Sequence, residues 1–149
     1  MAFIPDVIVT ADYSPATIGL VGEAKSATAN LDEAAVQLKQ YMLRMGCPVG
    51  IVFTPKVLRI YKNRFLGRAE DSIQMVGDFP SGELFKPRQA AAGAESAVES
   101  ALVEWLEELA QTGQVTVSDP HLKSAIDEHI LPVISGGRVS ILHSGALES

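Results

Sequence analysis

Asp6-Val7-Ile8-Val9-Thr10 and Ile18-Gly19-Leu20-Val21-Gly22-Glu23-Ala24-Lys25, followed by Gln37 and Tyr41, are the stretch on which the reading of this chain turns. The first run alternates, so Asp6, Ile8 and Thr10 share one face of a strand while Val7 and Val9 share the other. The second places Val21, Glu23 and Lys25 on one face and Leu20, Gly22 and Ala24 on the other. Between them Asp12-Tyr13-Ser14-Pro15 is turn chemistry, short enough to make the strands antiparallel neighbours. Asp6 is then expected beside Glu23 and Lys25, at the far end of the second strand. An unrelated α/β fold, with Glu23 and Lys25 as a surface ion pair, would instead turn Asp6 away from Glu23.

Two carboxylates, Asp6 and Glu23, and the intervening backbone carbonyl of Ala24 are hard oxygen donors suited to one Mg²⁺, which also keeps waters and a substrate phosphate. Such a metal neutralises phosphate charge and acidifies a bound water. Lys25, two residues beyond the second acid, is placed to orient or deprotonate that water. Gly19 to Ser26 has a superficial likeness to a phosphate-binding loop. Ala24 stands where that loop needs glycine, and the apolar run suits a strand.

Working outward, Asn30 is a helix N-cap with Glu33 at the capping-box position. Leu31, Ala34, Ala35, Leu38, Met42 and Met45 recur at helical spacing as a buried stripe, and Gly46 with Pro48 ends the helix. Gln37 and Tyr41, four apart, lie on one flank. Residues 50–61 predict two strands joined at Pro55-Lys56.

This order of strand, strand, helix, strand, strand, with its acid, acid-x-lysine and Q-x-x-x-Y elements, resembles the PD-(D/E)xK nuclease superfamily. Pro5-Asp6 matches the first motif, Glu23-Ala24-Lys25 the second and Gln37-Leu38-Lys39-Gln40-Tyr41 the helix motif. The likeness covers roughly residues 4–65 and is greatest to the N-terminal nuclease domain of type I restriction enzyme motor subunits. It implies a restriction-endonuclease-like α/β fold with a mixed central sheet flanked by helices. It further implies Mg²⁺-dependent hydrolysis of DNA, with Mn²⁺ as a substitute. Asp6 and Glu23, with Ala24, would be metal ligands, Lys25 the water-positioning group, and Gln37 and Tyr41 supports of the site or contacts to DNA. In the family a helix precedes the first motif strand and often supplies another acid, but only four residues precede Pro5 here. Either the chain begins late in the fold or another helix fills that slot, from a partner or from the acidic helix near residues 96–111. The alternative function is a dormant nuclease-fold binding or assembly module, completed by a helicase, a methylase or further copies of the chain.

The 149 residues, 47% hydrophobic and 20% charged, suit one globular domain with a real core. No apolar run is long enough to span a bilayer, and no signal-peptide layout opens the chain. A single cysteine, Cys47, makes a reducing cytoplasm the expected compartment. The net charge of −6 is uneven. Residues 25–88 carry ten Lys/Arg against six acids, whereas residues 89–149 carry two against nine. The middle of the chain is therefore the expected phosphate-facing part.

The second half predicts an α-β-α-β extension over about 94–144, beyond a core at about 4–88. A short strand is expected at Ser72–Val76 among glycines and prolines, then a linker at Gln89–Ala94. A helix over Ser96–Gln111 buries Val98, Ala101, Leu102, Trp105, Leu106 and Leu109. Gln114–Val117 is expected as a strand. A helix capped by Asp119-Pro120 should end near Pro132, and Arg138–His143 should form a last strand. His121, His129 and His143 match no ligand spacing, and the final residues 144–149 are expected to fray.

Overall fold

The computed structural model describes residues 3–11, 14–67, 70–86 and 95–142. The expected linker, His143 and the tail lie outside them.

Strands β1 (Val7–Ala11), β2 (Ser14–Ala24), β3 (Val49–Phe53), β4 (Val57–Asn63), β5 (Ile73–Pro80) and β6 (Arg138–Ile141) form one sheet in the order β5-β4-β3-β2-β1-β6. Every neighbouring pair is antiparallel except β2 and β3, which run parallel and are joined by helix α1 (Leu31–Met45). Helix α2 (Glu95–Thr112) and helix α3 (Pro120–Ala125) follow. A π-helical stretch (Ile126–Ile130) carries α3 into α4 (Leu131–Ile134). The architecture is α/β, a six-stranded mixed sheet flanked by helices. No described helix is long and apolar enough to cross a membrane.

Strand alternation assigns the layers. Val9, Leu20, Ile51, Phe53 and Ile60 point toward α2, α3 and α4, where they meet Leu102, Leu106, Leu122, Ile126 and Ile130, all fully buried. Val21, Val52 and Tyr61 point the other way, toward Ala35, Leu38 and Met42 of α1. The central strand β3 is buried along its whole length, which explains its uninterrupted apolar sequence. Gly50 lets α1 approach, since a Cβ there would lie 2.5 Å from the Met42 sulfur. Gly19 does the same on the opposite face, where a Cβ would meet the Val133 carbonyl oxygen. Trp105 joins the core as expected, stacked on Phe53 at 5.9 Å between ring centres, with Phe85 on Phe53 at 4.9 Å.

Helix α1 starts as expected: the Glu33 N–H donates to Asn30 Oδ1 at 3.1 Å, and Gly46 ends the helix with φ +67°. Met45, expected in its buried stripe, is 49% exposed. The N–H groups of Gly46 and Cys47 both return to the Met42 carbonyl, and this turn brings Cys47, not Met45, into the core. Burial pushes the Cys47 thiol up to about 12, so it is an inert small side chain.

Three further expectations are corrected. β5 runs on through Gly77 to Pro80, because a bulge opposite Ile60/Tyr61 absorbs the irregularity and Pro80 sits at the strand's end. Gln114–Val117 is not a strand. Val115 and Val117 pack on the core, but the segment joins no ladder. Its continuation is held by the Glu83 carboxylate, which accepts from Ser118 N–H and Oγ, both at 2.8 Å, and from Asp119 N–H at 3.1 Å. Alternation there recorded burial, not pairing. Pro132 does not stop the third helical region, which runs to Ile134. Pro132 stands in the first turn of α4, directly after the π turn, where its fixed φ is tolerated.

Candidate functional site

The β1–β2 register, Val7 opposite Gly22, puts Asp6 opposite Glu23. Two hydrogen bonds tie Asp6 to the end of β2. Asp6 N–H donates to Glu23 Oε1 at 2.9 Å, and Ala24 N–H donates to Asp6 Oδ2 at 2.8 Å. Asp6 therefore does not turn away from Glu23. On the other side of β2, Lys25 N–H donates to the Phe53 carbonyl at 2.9 Å, fixing the backbone where its side chain departs. Lys25 Nζ stands 3.6 Å from Glu23 Oε2.

Glu23 is strongly perturbed. Its side chain is 6% exposed. Burial chiefly, and then the like charge of Asp6, raise its pKa from 4.5 to about 7. The Asp6 N–H bond and Lys25 oppose that rise without cancelling it.

A cleft of about 540 Å³ opens over this end of β2, between it and the first half of α1. Glu23, Lys25 and Gln37 line it, together with Phe3, Asn30 and Glu33. Gln37 is exposed and lines the cleft. Tyr41, one turn farther along, is 8% exposed. It packs edge-on to Phe3 at 5.9 Å, with the Arg44 guanidinium 5.4 Å from its ring centre. Burial raises its hydroxyl pKa. Asp6, Glu23, Lys25 and Gln37 are thus brought together, whereas Tyr41 braces the helix behind them.

Helix α2, one candidate to stand beside the acids, does not do so. Glu23 shares its strand face with Val21, which packs on α1, whereas Gly22 and Ala24 face α2. The acidic helix therefore lies across the sheet from the carboxylates. Glu33 of α1 is the acid that does line the cleft. Its sequence position marks it only as a capping-box residue, because helical phase alone does not show that its side chain faces β2.

Arg59 holds this end of α1 in place. Its guanidinium grips Asp78 at 2.6 and 2.9 Å and Asp32, in the first turn of α1, at 2.7 Å. These bonds, Asp78 foremost, hold the guanidinium pKa well above its ordinary value. No sequence signal linked Arg59 to two acids 19 and 27 residues away.

The donor set suits a hard divalent cation. Two adjacent carboxylates, one desolvated and short of compensating charge, form an environment that a cation would relieve. Among the described residues no group of three or more His, Cys, Asp or Glu side chains could hold a metal, so waters and substrate would complete any coordination sphere at this pair. His121 is exposed, and His129 lies 3.7 Å from Glu128.

No protein-family model matches the chain, and no curated protein or solved structure is significantly similar to it.

Proposed function

We propose that this chain is a metal-dependent DNA nuclease of the PD-(D/E)xK kind, with a restriction-endonuclease-like core. The observation that carries the reading is Asp6 bonded through its N–H to the Glu23 carboxylate and through its own carboxylate to the Ala24 N–H, with Lys25 beside Glu23 at an open cleft. The order of the sequence motifs along β1, β2 and α1 supports it.

Asp6 and Glu23, with the Ala24 carbonyl, would hold Mg²⁺ or, in its place, Mn²⁺. When bound, the metal supplies charge neutralisation at the scissile phosphate and acidifies a water. The chain's own groups do the rest. Lys25 is 30% exposed, so Nζ reaches both Glu23 and the cleft. There it can orient an attacking water or meet the charge that develops on phosphorus-bound oxygen. Gln37 presents an amide able to donate to a phosphate oxygen.

One observation favours a second reading, a dormant module completed by a partner. Only two carboxylates meet at the site among the described residues, and Lys25 already leans on one of them. The test is cleavage of labelled single- and double-stranded DNA in Mg²⁺ and Mn²⁺, with Lys25→Ala beside the wild type. Lys25→Ala should cut at least about a hundredfold more slowly while folding normally. Undiminished cleavage by this variant would refute the assignment. Wild type that binds DNA but never cuts it would favour the dormant module.

A further inference from the structure

The β4–β5 connection holds an unusual arrangement. Phe65 has φ +56°, the one positive φ at a described residue other than glycine. For an aromatic residue that conformation is strained and persists only where the surroundings impose it. Here Phe65 N–H donates to Asn63 Oδ1 at 2.8 Å, Leu66 N–H to Ser72 Oγ at 3.0 Å, and Ser72 Oγ to Asn63 Oδ1 at 3.0 Å. Asn63 and Ser72 are buried, at 9% and 0% exposure. A buried polar network is thus spent on presenting two large apolar side chains to solvent, Phe65 at 61% and Leu66 at 67% exposure.

The place of this tip in the fold suggests what it meets. Asn63 N–H donates to the Pro48 carbonyl, so the tip lies at the C-terminal end of α1, opposite the cleft at the N-terminal end. Arg44 in the last turn of α1, Lys62 and Arg64 set three cations against Glu70 and Asp71 at this end, with the Arg64 guanidinium donating to the Asp71 carbonyl. The 15 residues of α1 measure about 22 Å, or about six base pairs of duplex.

We propose that Phe65 and Leu66 form a wedge that enters a base step of duplex DNA about six base pairs from the cleavage point, its phosphates running past Arg44 and Arg64 along α1. Paired apolar side chains on a rigid tip are the chemistry by which proteins unstack a step and anchor a duplex. The inference rests on the nuclease reading and gives its substrate a form and a register.

Phe65→Gly separates this role from a structural one, because glycine adopts φ +56° without strain. The variant should unfold no more easily than its parent. In a Lys25→Ala background, where cutting is blocked, it should bind duplex about tenfold or more weakly. Duplexes carrying 2-aminopurine at successive positions should brighten at one step about six base pairs from the cut, and Phe65→Gly should abolish that signal. Leu66→Ser should weaken binding in the same direction. If wild type cleaves but Phe65→Gly leaves affinity and the fluorescence pattern unchanged, the wedge is refuted and the nuclease reading survives. If wild type neither binds nor cuts, both fall. Self-association of wild type that Phe65→Gly abolishes would assign the tip to a second copy of the chain and overturn the wedge.

Discussion

Glu23→Gln is expected to stabilise this protein at alkaline pH and to do so much less at acidic pH. In the folded chain burial and the neighbouring Asp6 hold the Glu23 carboxyl at about 7, against an ordinary 4.5. A folded-state pKa above the unfolded one means a contribution fully present below about 4.5 and lost as pH rises through 7. At about 1.4 kcal/mol per pH unit, the wild type therefore forfeits about 3 kcal/mol between those limits. Glutamine keeps an oxygen to accept the Asp6 N–H but carries no charge, so it removes this dependence. At pH 8 the variant should exceed wild type by up to about 3 kcal/mol, which for a chain of this size is about 6–12 °C in melting temperature. At pH 4.5 most of that gain should vanish. Urea denaturation of both proteins across pH 4.5–8, in buffer stripped of divalent ions, measures it directly. Mg²⁺ should then rescue wild type at pH 8 and not the variant, since ligand bound only by the folded state adds stability. Curves that run parallel across the whole range would show that Glu23 ionises as freely in the fold as in water, and the electrostatic account of the site would fail.

Other perturbations test the frame around the site. Gly19→Ala sets a Cβ 2.2 Å from the Val133 carbonyl oxygen, a backbone atom that cannot swing aside, and should cost about 1–3 kcal/mol in denaturation. Arg59→Ala strips Asp78 of a bidentate partner and frees the first turn of α1. A loss of about 2 kcal/mol is expected, with faster amide exchange at residues 31–34. Unchanged exchange would mean that Asp32, 90% exposed in its side chain, contributes nothing. Asn63→Ala breaks the buried pair beneath Phe65 and should cost about 1–3 kcal/mol, in contrast to the neutral or favourable Phe65→Gly.

What the sequence disclosed, it disclosed through periodicity and local chemistry. The alternation around Asp6 and Glu23 set faces and register together, because slipping by one residue would expose Val7 and Val9. Asn30, Gly46 and Asp119 marked helix ends because their chemistry acts within a few residues. What stayed hidden depended on long-range placement. Met45 fitted the stripe, yet the chain reversal at Gly46 gave its place to Cys47. Val115 and Val117 alternated without a neighbouring edge to join. The side of the sheet taken by α2 was not written in its own amphipathic pattern, which fits either face equally well.

One backbone contact links this site to the order in which the chain is made. The Asp6 carbonyl accepts from Leu142 N–H at 2.9 Å, continuing the β6 ladder alongside β1. The strand preceded by the first acid of the site is thus flanked by a segment that leaves the ribosome long after β1 through β4. Until β6 docks, Asp6 sits on an open sheet edge, free to fray from Glu23 or to pair with another nascent chain. A product of premature termination would carry Asp6, Glu23 and Lys25 yet lack the strand that steadies them. For the nuclease proposed above, readiness would then arrive only after β6 has been made and docked.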